Sequence, residues 1–204
     1  MKIIFATGNN NKMREIREIM GDLTSDINSM KDEGIDLDIV EDGSTFEENS
    51  MIKARAVARV CKEKGMTDFC IMADDSGLEI DYLDKAPGIY SARFLGHDTP
   101  YSEKNRQILE KLKDVPDEKR SARFVCAISA VFSDGREYVV RATMEGMIGH
   151  EIAGENGFGY DPIFFLPEYG KTSAEISPEE KNAISHRGKA LRLMREKAFG
   201  HLCD

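Results

Sequence analysis

Phe69-Cys70-Ile71-Met72-Ala73-Asp74-Asp75-Ser76-Gly77 is the stretch on which the fold turns. Its five opening residues, mostly apolar and rich in strand formers, are too few for a free-standing helix. They read as a buried strand whose carboxyl end opens into a Gly-containing turn. In open α/β sheets ligands gather at that edge. Asp74 and Asp75 side by side repel one another unless a proton, a cation or a basic group compensates, which points to a metal site or a perturbed acid and base. The structural alternative is an Asp-rich turn in which one of the pair caps the segment that follows.

The residues before this stretch extend the α/β pattern. Lys2 to Ala6 reads as a first buried strand, followed by the polar loop Thr7-Gly8-Asn9-Asn10-Asn11-Lys12 and an amphipathic helix with Met13, Ile16, Ile19 and Met20 on one face. Exposed amides at such a helix start, aided by the helix dipole, favour an anion, and Gly8 would let one approach. The spacing is not that of a P-loop, and an Asn-rich capping turn is the plainer reading. A short strand is expected near Leu37-Asp38-Ile39-Val40. Glu41-Asp42-Gly43-Ser44-Thr45 then turns into a helix from Phe46 to about Lys64, capped by Ser44 or Thr45 with Glu47 or Glu48 following. That helix carries Asn49 and Lys53 one turn apart.

Beyond Gly77, Leu78-Glu79-Ile80-Asp81-Tyr82-Leu83 alternates like a strand with one wet face, Pro87 to Arg93 reads as a loop, and Tyr101 to Leu112 as a helix. Ala122 to Phe132 and Glu137 to Ile148 flank Ser133-Asp134-Gly135, a strong hairpin signal. The glycines of Gly154-Glu155-Asn156-Gly157-Phe158-Gly159-Tyr160-Asp161-Pro162 do not follow the dinucleotide fingerprint and no helix follows them, which speaks against a Rossmann cofactor. Ser177-Pro178-Glu179-Glu180 starts a short helix, and Ser185-His186-Arg187-Gly188 opens a final one from Lys189 onward, with Ser185 as a candidate cap.

A chain of 204 residues, 41% hydrophobic and 32% charged, fits one sizeable domain or two lobes sharing a sheet, and needs no disulfide to bury a core. The formal charge of -9 argues against nucleic acid or an anionic membrane as partner, so an anionic substrate would need a local basic pocket. Cys61, Cys70, Cys126 and Cys203 lack paired spacing and read as reduced thiols of a cytoplasmic protein. Ile3 to Ala6 is too short for a secretory leader, and no run reaches the length of a membrane span. His97, His150, His186 and His201 lack zinc spacing, so any metal is expected on oxygen ligands.

The ordered set Thr7-Gly8-Asn9-x-x-Lys12, Glu41-Asp42-Gly43-x-Thr45-Phe46-x-Glu48-Asn49, Asp74-Asp75-Ser76-Gly77-Leu78, Pro87-Gly88-Ile89-Tyr90-Ser91-Ala92-Arg93, Gly157-Phe158-Gly159-Tyr160-Asp161-Pro162 and Ser185-His186-Arg187 closely resembles the inosine triphosphate pyrophosphatase family. The resemblance runs from Lys2 to about Ala190. It implies an α/β fold with an elongated mixed β-sheet flanked by helices and two lobes around a central nucleotide-binding cleft, all within a single domain, 1-204, usually paired as a homodimer. The implied activity is magnesium-dependent hydrolysis of the non-standard purine triphosphates ITP, dITP and XTP to the monophosphate and pyrophosphate, cleansing the nucleotide pool.

Carried over residue by residue, the resemblance makes Glu41 and Asp75 the ligands of Mg2+ and Asp75 also the proton acceptor for the attacking water. Asp74 becomes a supporting acid. Thr7, Gly8, Asn9, Asn10, Asn11, Lys12, Lys53 and Ser76 would bind the phosphate chain, with Arg93 a further phosphate or structural partner. Phe158, Gly159, Tyr160, Asp161, Lys181, His186 and Arg187 would contact the purine. Donors facing its six position would accept a keto oxygen and be left unpaired by adenine. The rival readings are a Maf-like pyrophosphatase, whose usual motifs differ, a nucleotide-binding regulator without hydrolysis, and a serine hydrolase using Ser76 and His186, which lacks the nucleophile elbow.

Overall fold

The computed structural model describes residues 1–21 and 26–200. Its strands, β1 (Lys2–Phe5), β2 (Ile27–Ser29), β3 (Phe69–Ile80), β4 (Ser121–Phe132), β5 (Glu137–Ile148), β6 (Phe164–Leu166) and β7 (Lys171–Thr172), form a seven-stranded sheet in the order β2-β1-β3-β4-β5-β6-β7. The helices are α1 (Asn10–Met20), α2 (Phe46–Glu63), α3 (Tyr101–Lys111), α4 (Pro178–Ile184) and α5 (His186–Phe199). β1 runs parallel to β2 and β3, whereas β5 to β7 are joined antiparallel, so the sheet is mixed, as expected. The described residues divide into two compact units.

The first unit comprises Met1–Asp75, Cys126–Ala142 and the chain from Arg187 onward. Period-two alternation explains why Phe69 to Ala73 is apolar at every position: the strand is covered on both faces. Cys70 and Met72 join Ile3 and Phe5 in a cluster with Met13, Ile16 and Met20 of α1 and Leu191, Met194 and Phe199 of α5. Phe69, Ile71 and Ala73 join Ile4 in a second cluster with Ala54, Val57, Ala58 and Cys61 of α2. The hairpin at Asp134-Gly135 is present: Phe132 N–H donates to the Arg136 carbonyl (2.9 Å), Gly135 N–H to that of Phe132 (3.0 Å), and Gly135 has the positive φ that the turn requires.

The second unit comprises Ser76–Val125 and Thr143–His186. Its core gathers Leu78, Ile80, Phe124, Met144 and Ile148 with Ile108 and Leu112 at the end of α3, and Tyr160, Ile163 and Phe164. Arg120 is fully buried there, its guanidinium donating to the carbonyls of Ile148 (2.8 Å), Leu112 (2.5 Å) and Gly149 (2.5 Å). Three carbonyls thereby gain a common donor in place of water.

The structure corrects several sequence expectations. The chain does not turn at Asp74-Gly77: β3 continues to Ile80, because the carboxylates that suggested a turn have cationic partners within the strand's surroundings. The strand near Leu37 to Val40 is absent; Leu37 and Ile39 pack on the α2 side of the core without a ladder, and the edge strand is Ile27–Ser29 instead. Leu78 and Ile80 are buried and Glu79 is half-buried, as the alternation predicts, but Asp81–Leu83 is a 3-10 turn rather than strand. Gly88–Arg93 is likewise 3-10 rather than open loop. α5 starts at His186, not Lys189, and Ser185 ends α4. Cys61, Cys70 and Cys126 are buried thiols outside any disulfide, burial pushing the Cys70 thiol up to about 12; Cys203 and His201 lie outside the described residues. Among the described residues no helix is long and apolar enough to cross a membrane.

Candidate functional site

In the first unit, strand alternation sends Asp74 and Asp75 to different helices. Asp75 meets α2: its Oδ1 lies 3.3 Å from Lys53 Nζ, which is 2.7 Å from Glu41 Oε2. Asp75 Oδ2 is buried without a hydrogen-bond partner. Burial pushes the Asp75 carboxyl above the usual carboxylate range, against the pull of Lys53 and Lys12. Burial works in the opposite sense on Lys53, but the Asp75 and Glu41 carboxylates outweigh it and hold the ammonium above its ordinary value. Two hard oxygen ligands sharing one ammonium, with an orphaned acceptor between solvent and core, fit a small divalent cation that takes its remaining ligands from water and phosphate. Among the described residues there is no group of three or more His, Cys, Asp or Glu able to hold a metal by itself.

The Glu41 turn is held by the first turn of α2. Thr45, not Ser44, is the N-cap, accepting from Glu48 N–H (3.1 Å), while Glu48 Oε2 accepts from Ser44 N–H and hydroxyl (2.7 Å each). Asn49 Oδ1 accepts from Gly43 N–H (2.9 Å), and a Cβ at Gly43 would stand 2.7 Å from that oxygen. The glycine is therefore required by contact.

Asp74 meets α1 and α5. Lys12 Nζ pairs with its Oδ1; Arg187 Nε (3.0 Å) and the Cys126 thiol (3.3 Å) donate to its Oδ2. Arg187 also pairs with Glu15, and all of Glu15, Asp74 and Arg187 are buried. Burial opposes the Arg187 charge, yet the two carboxylates outweigh it and raise the group further above its ordinary range. Ahead of Lys12 the chain is ordered by Asn9, whose Oδ1 accepts from Asn11 (2.9 Å) and Lys12 (3.1 Å) N–H, and by Thr7 Oγ1, which accepts from Asn9 N–H (3.1 Å). The capping turn and the helix start thus coexist: α1 begins at Asn10, leaving the Asn9 side-chain nitrogen as its donor end. Open space flanks Gly8.

In the second unit the Gly157 to Asp161 segment is built around Asp161, which is 1% exposed. Its Oδ2 accepts from Phe158 N–H (2.8 Å) and Lys181 Nζ (2.7 Å), and its Oδ1 from the Ser173 hydroxyl (2.8 Å). Lys181 Nζ stands 5.3 Å from the Phe158 ring centroid. Gly157 has φ +74, and a side chain there would run into the Asp161 carboxylate. The Tyr160 hydroxyl donates to the Ser91 carbonyl (2.7 Å), and burial pushes that phenol up. His186 stacks on Phe124 with centroids 4.9 Å apart. Ser76 is half-buried at the start of this unit, and the exposed Arg93 guanidinium lies 4.9 Å from the Tyr90 ring.

The first unit therefore brings together Thr7 to Lys12, Glu41, Lys53, Asp74, Asp75 and Arg187, and the second holds Ser76, Phe158, Gly159, Tyr160, Asp161, Lys181 and His186. Arg187, expected beside His186, sends its guanidinium to Asp74 and Glu15. Glu15 was invisible to sequence reasoning: a single glutamate on an amphipathic helix gives no sign of a partner 172 positions away.

The profile of the Ham1 family matches residues 3–197. A dITP/XTP pyrophosphatase of Clostridium perfringens is 49% identical over 201 residues, covering 98% of either chain, and that of Escherichia coli K12 is 46% identical over 195 residues, covering 95% of either. The solved Ham1 protein of Staphylococcus aureus superposes with a TM-score of 0.84 at 38% identity, over 98% of this chain and 100% of its own. A nucleoside-triphosphatase / dITP/XTP pyrophosphatase of Mycobacterium abscessus superposes with a TM-score of 0.72 at 40% identity, over 95% of this chain and 98% of its own.

Proposed function

The chain belongs to the Ham1 family, and from that premise we propose that it is a nucleoside-triphosphate pyrophosphatase acting on dITP, XTP and ITP. Water attacks the α-phosphorus, the bond to the bridging oxygen breaks, and monophosphate and pyrophosphate leave. The observation that carries this reading is Asp75: a buried carboxylate with one oxygen on Lys53, the other without a partner, and an affinity for protons raised by burial. Those are the properties of an acceptor for the proton of an attacking water.

Glu41 and Asp75 would hold magnesium, whose charge, when bound, offsets that of the phosphate oxygens. Lys53 keeps the two carboxylates close without a metal and remains charged, so it can donate to a phosphate oxygen. Lys12, set by the Asn9 cap and by Asp74, supplies a second ammonium beside the amides of the α1 start. A few such groups suffice for an anionic substrate on a chain of net charge -9. Ser76 adds a hydroxyl donor, and Arg93 an exposed cation.

For the base, Phe158 offers a ring face, and Lys181 and His186 offer donors for a six-keto oxygen. Asp161 holds Phe158 and Lys181 rather than reading the purine, since both its oxygens are occupied. Gly159 and Tyr160 complete that segment. Arg187, ion-paired to Asp74, serves the phosphate end. The same reading takes residues 1-204 as one two-lobed domain that pairs with a second copy in the cytoplasm.

The test is pyrophosphate release from inosine, adenosine, guanosine and thymidine triphosphates with and without magnesium. Magnesium-dependent release strongest with inosine triphosphate is expected. Equal turnover of all four would remove the base specificity, and no turnover of any would leave a binding module.

A further inference from the structure

We propose that Asn105 of α3 is a positioning residue that sets the base-reading segment, and through it the selectivity for the purine. The inference rests on the reading of Phe158 to Asp161 as base contacts. Asn105 is 2% exposed, and its Nδ2 donates to the carbonyl of Gly159 (3.1 Å). Gly159 follows Phe158 directly, so this bond fixes the Gly159–Tyr160 peptide just after the aromatic ring, while the Phe158 N–H bond with Asp161 fixes the peptide before it. The Asn105 Oδ1 is buried and has no hydrogen-bond partner. An asparagine kept for packing alone would leave both ends of its amide to be satisfied or be replaced by leucine; here one end is spent on a single carbonyl while the other stays unmet, an arrangement that costs stability.

Neighbouring residues of α3 act on the same segment. The Tyr101 ring meets Tyr160 edge-on with centroids 5.1 Å apart, and its Cε1 lies 3.6 Å from where a Cβ of Gly159 would stand. Lys104, fully buried, donates to the Ala92 carbonyl (2.6 Å) and sits 4.9 Å from the Tyr101 ring centroid, while Tyr160 donates to the Ser91 carbonyl. One helical turn thus holds Tyr101, Gly159 and Tyr160 in register. Asn105 makes the bond nearest Phe158 in sequence.

The experiment compares the wild type with Asn105→Leu, which keeps the branching and heavy-atom count and removes the donor, and with Asn105→Asp, which keeps the shape and removes the donor in its ionised form. For both, KM for dITP should rise about tenfold with kcat within about twofold, the loss of one well-placed hydrogen bond. Inhibition by inosine monophosphate should weaken by a similar factor and inhibition by pyrophosphate should not change. The ratio of kcat/KM for dITP over dGTP should fall. A structural role alone would lower thermal stability with KM and both inhibition constants unchanged, and that result overturns the proposal, as does a loss confined to kcat or shared by pyrophosphate. If the wild type itself does not turn over dITP, the activity reading fails rather than the positioning role.

Discussion

Asp74 and Asp75 are adjacent in sequence and meet opposite cationic partners: Asp74 is bound by Lys12 and Arg187, Asp75 by Lys53. A β-strand points successive side chains to opposite faces, so each of the neighbouring carboxylates is drawn to cations of its own. One aspartate faces α1 and α5, where Lys12, Arg187 and the Cys126 thiol meet it; the other faces α2 and keeps an unpartnered oxygen.

The two should therefore fail differently when made neutral. Asp75→Asn is expected to abolish pyrophosphate release from dITP while melting within a few degrees of the wild type, because one Asp75 oxygen has no partner to lose and Lys53 keeps its shorter ion pair with Glu41. Asp74→Asn is expected to melt well below the wild type, since it weakens two charged partners at once. Circular dichroism melts beside a turnover assay decide it. An active Asp75→Asn protein would remove the assigned proton acceptor.

Arg187 is the cation between two buried carboxylates, Glu15 and Asp74. Removing one partner of a buried ionic group strands the rest, which costs roughly 3–5 kcal/mol. Arg187→Met should lose stability of about that size in urea unfolding, and adding Glu15→Gln should restore part of it because one stranded charge disappears. A loss of under about 1 kcal/mol would mean the network contributes little.

What the sequence made legible followed from local chemistry. The apolar run Phe69 to Ala73, the amphipathic face of α1 and the Asp134-Gly135 turn each carry their signal within a few residues, and each is where it was expected. Asp74-Asp75 misled as a turn because strand propensity prices aspartate by its exposed behaviour, and the cations that keep it in a strand come from Lys12, Lys53 and Arg187, far along the chain. Leu37 to Val40 misled in the opposite way: its apolar residues are wanted by the core, but no strand edge is there to pair with it. Roles that depend on a distant partner, as for Glu15 and Asn105, leave no local trace.

Stability should depend on acid through Asp81. Hydrogen bonds from Arg123, then Lys85 and Ser121, hold its carboxyl well below the usual range. A depressed pKa in the folded state means stability that is present above the unfolded value, about 3.9, and lost as pH falls through the folded one. Asp81→Asn should thus lower the urea midpoint at pH 7, and the gap from the wild type should narrow progressively below about pH 4. A gap that is constant from neutral pH to pH 3.5 would mean the Arg123 pair does not titrate with folding.

Lys53 should govern the titration of Asp75. In the metal-free protein, burial raises that carboxyl, while Lys53 and then Lys12 are the charges that restrain it. Lys53→Met removes the larger restraint, so Asp75 should hold its proton to a still higher pH. For a carboxylate with a raised folded pKa, the associated stability is complete below the unfolded value and is lost as pH rises through the folded one. The variant should accordingly lose stability relative to the wild type as the pH is raised from the acid side toward neutrality. Carboxyl carbon NMR of Asp75 in both proteins, without metal or nucleotide, gives the direct measurement. An Asp75 that titrates in the ordinary aspartate range in the wild type, or that does not move upward in Lys53→Met, would separate its proton affinity from burial and from the lysine, and with that remove the physical ground for assigning it the proton of the attacking water.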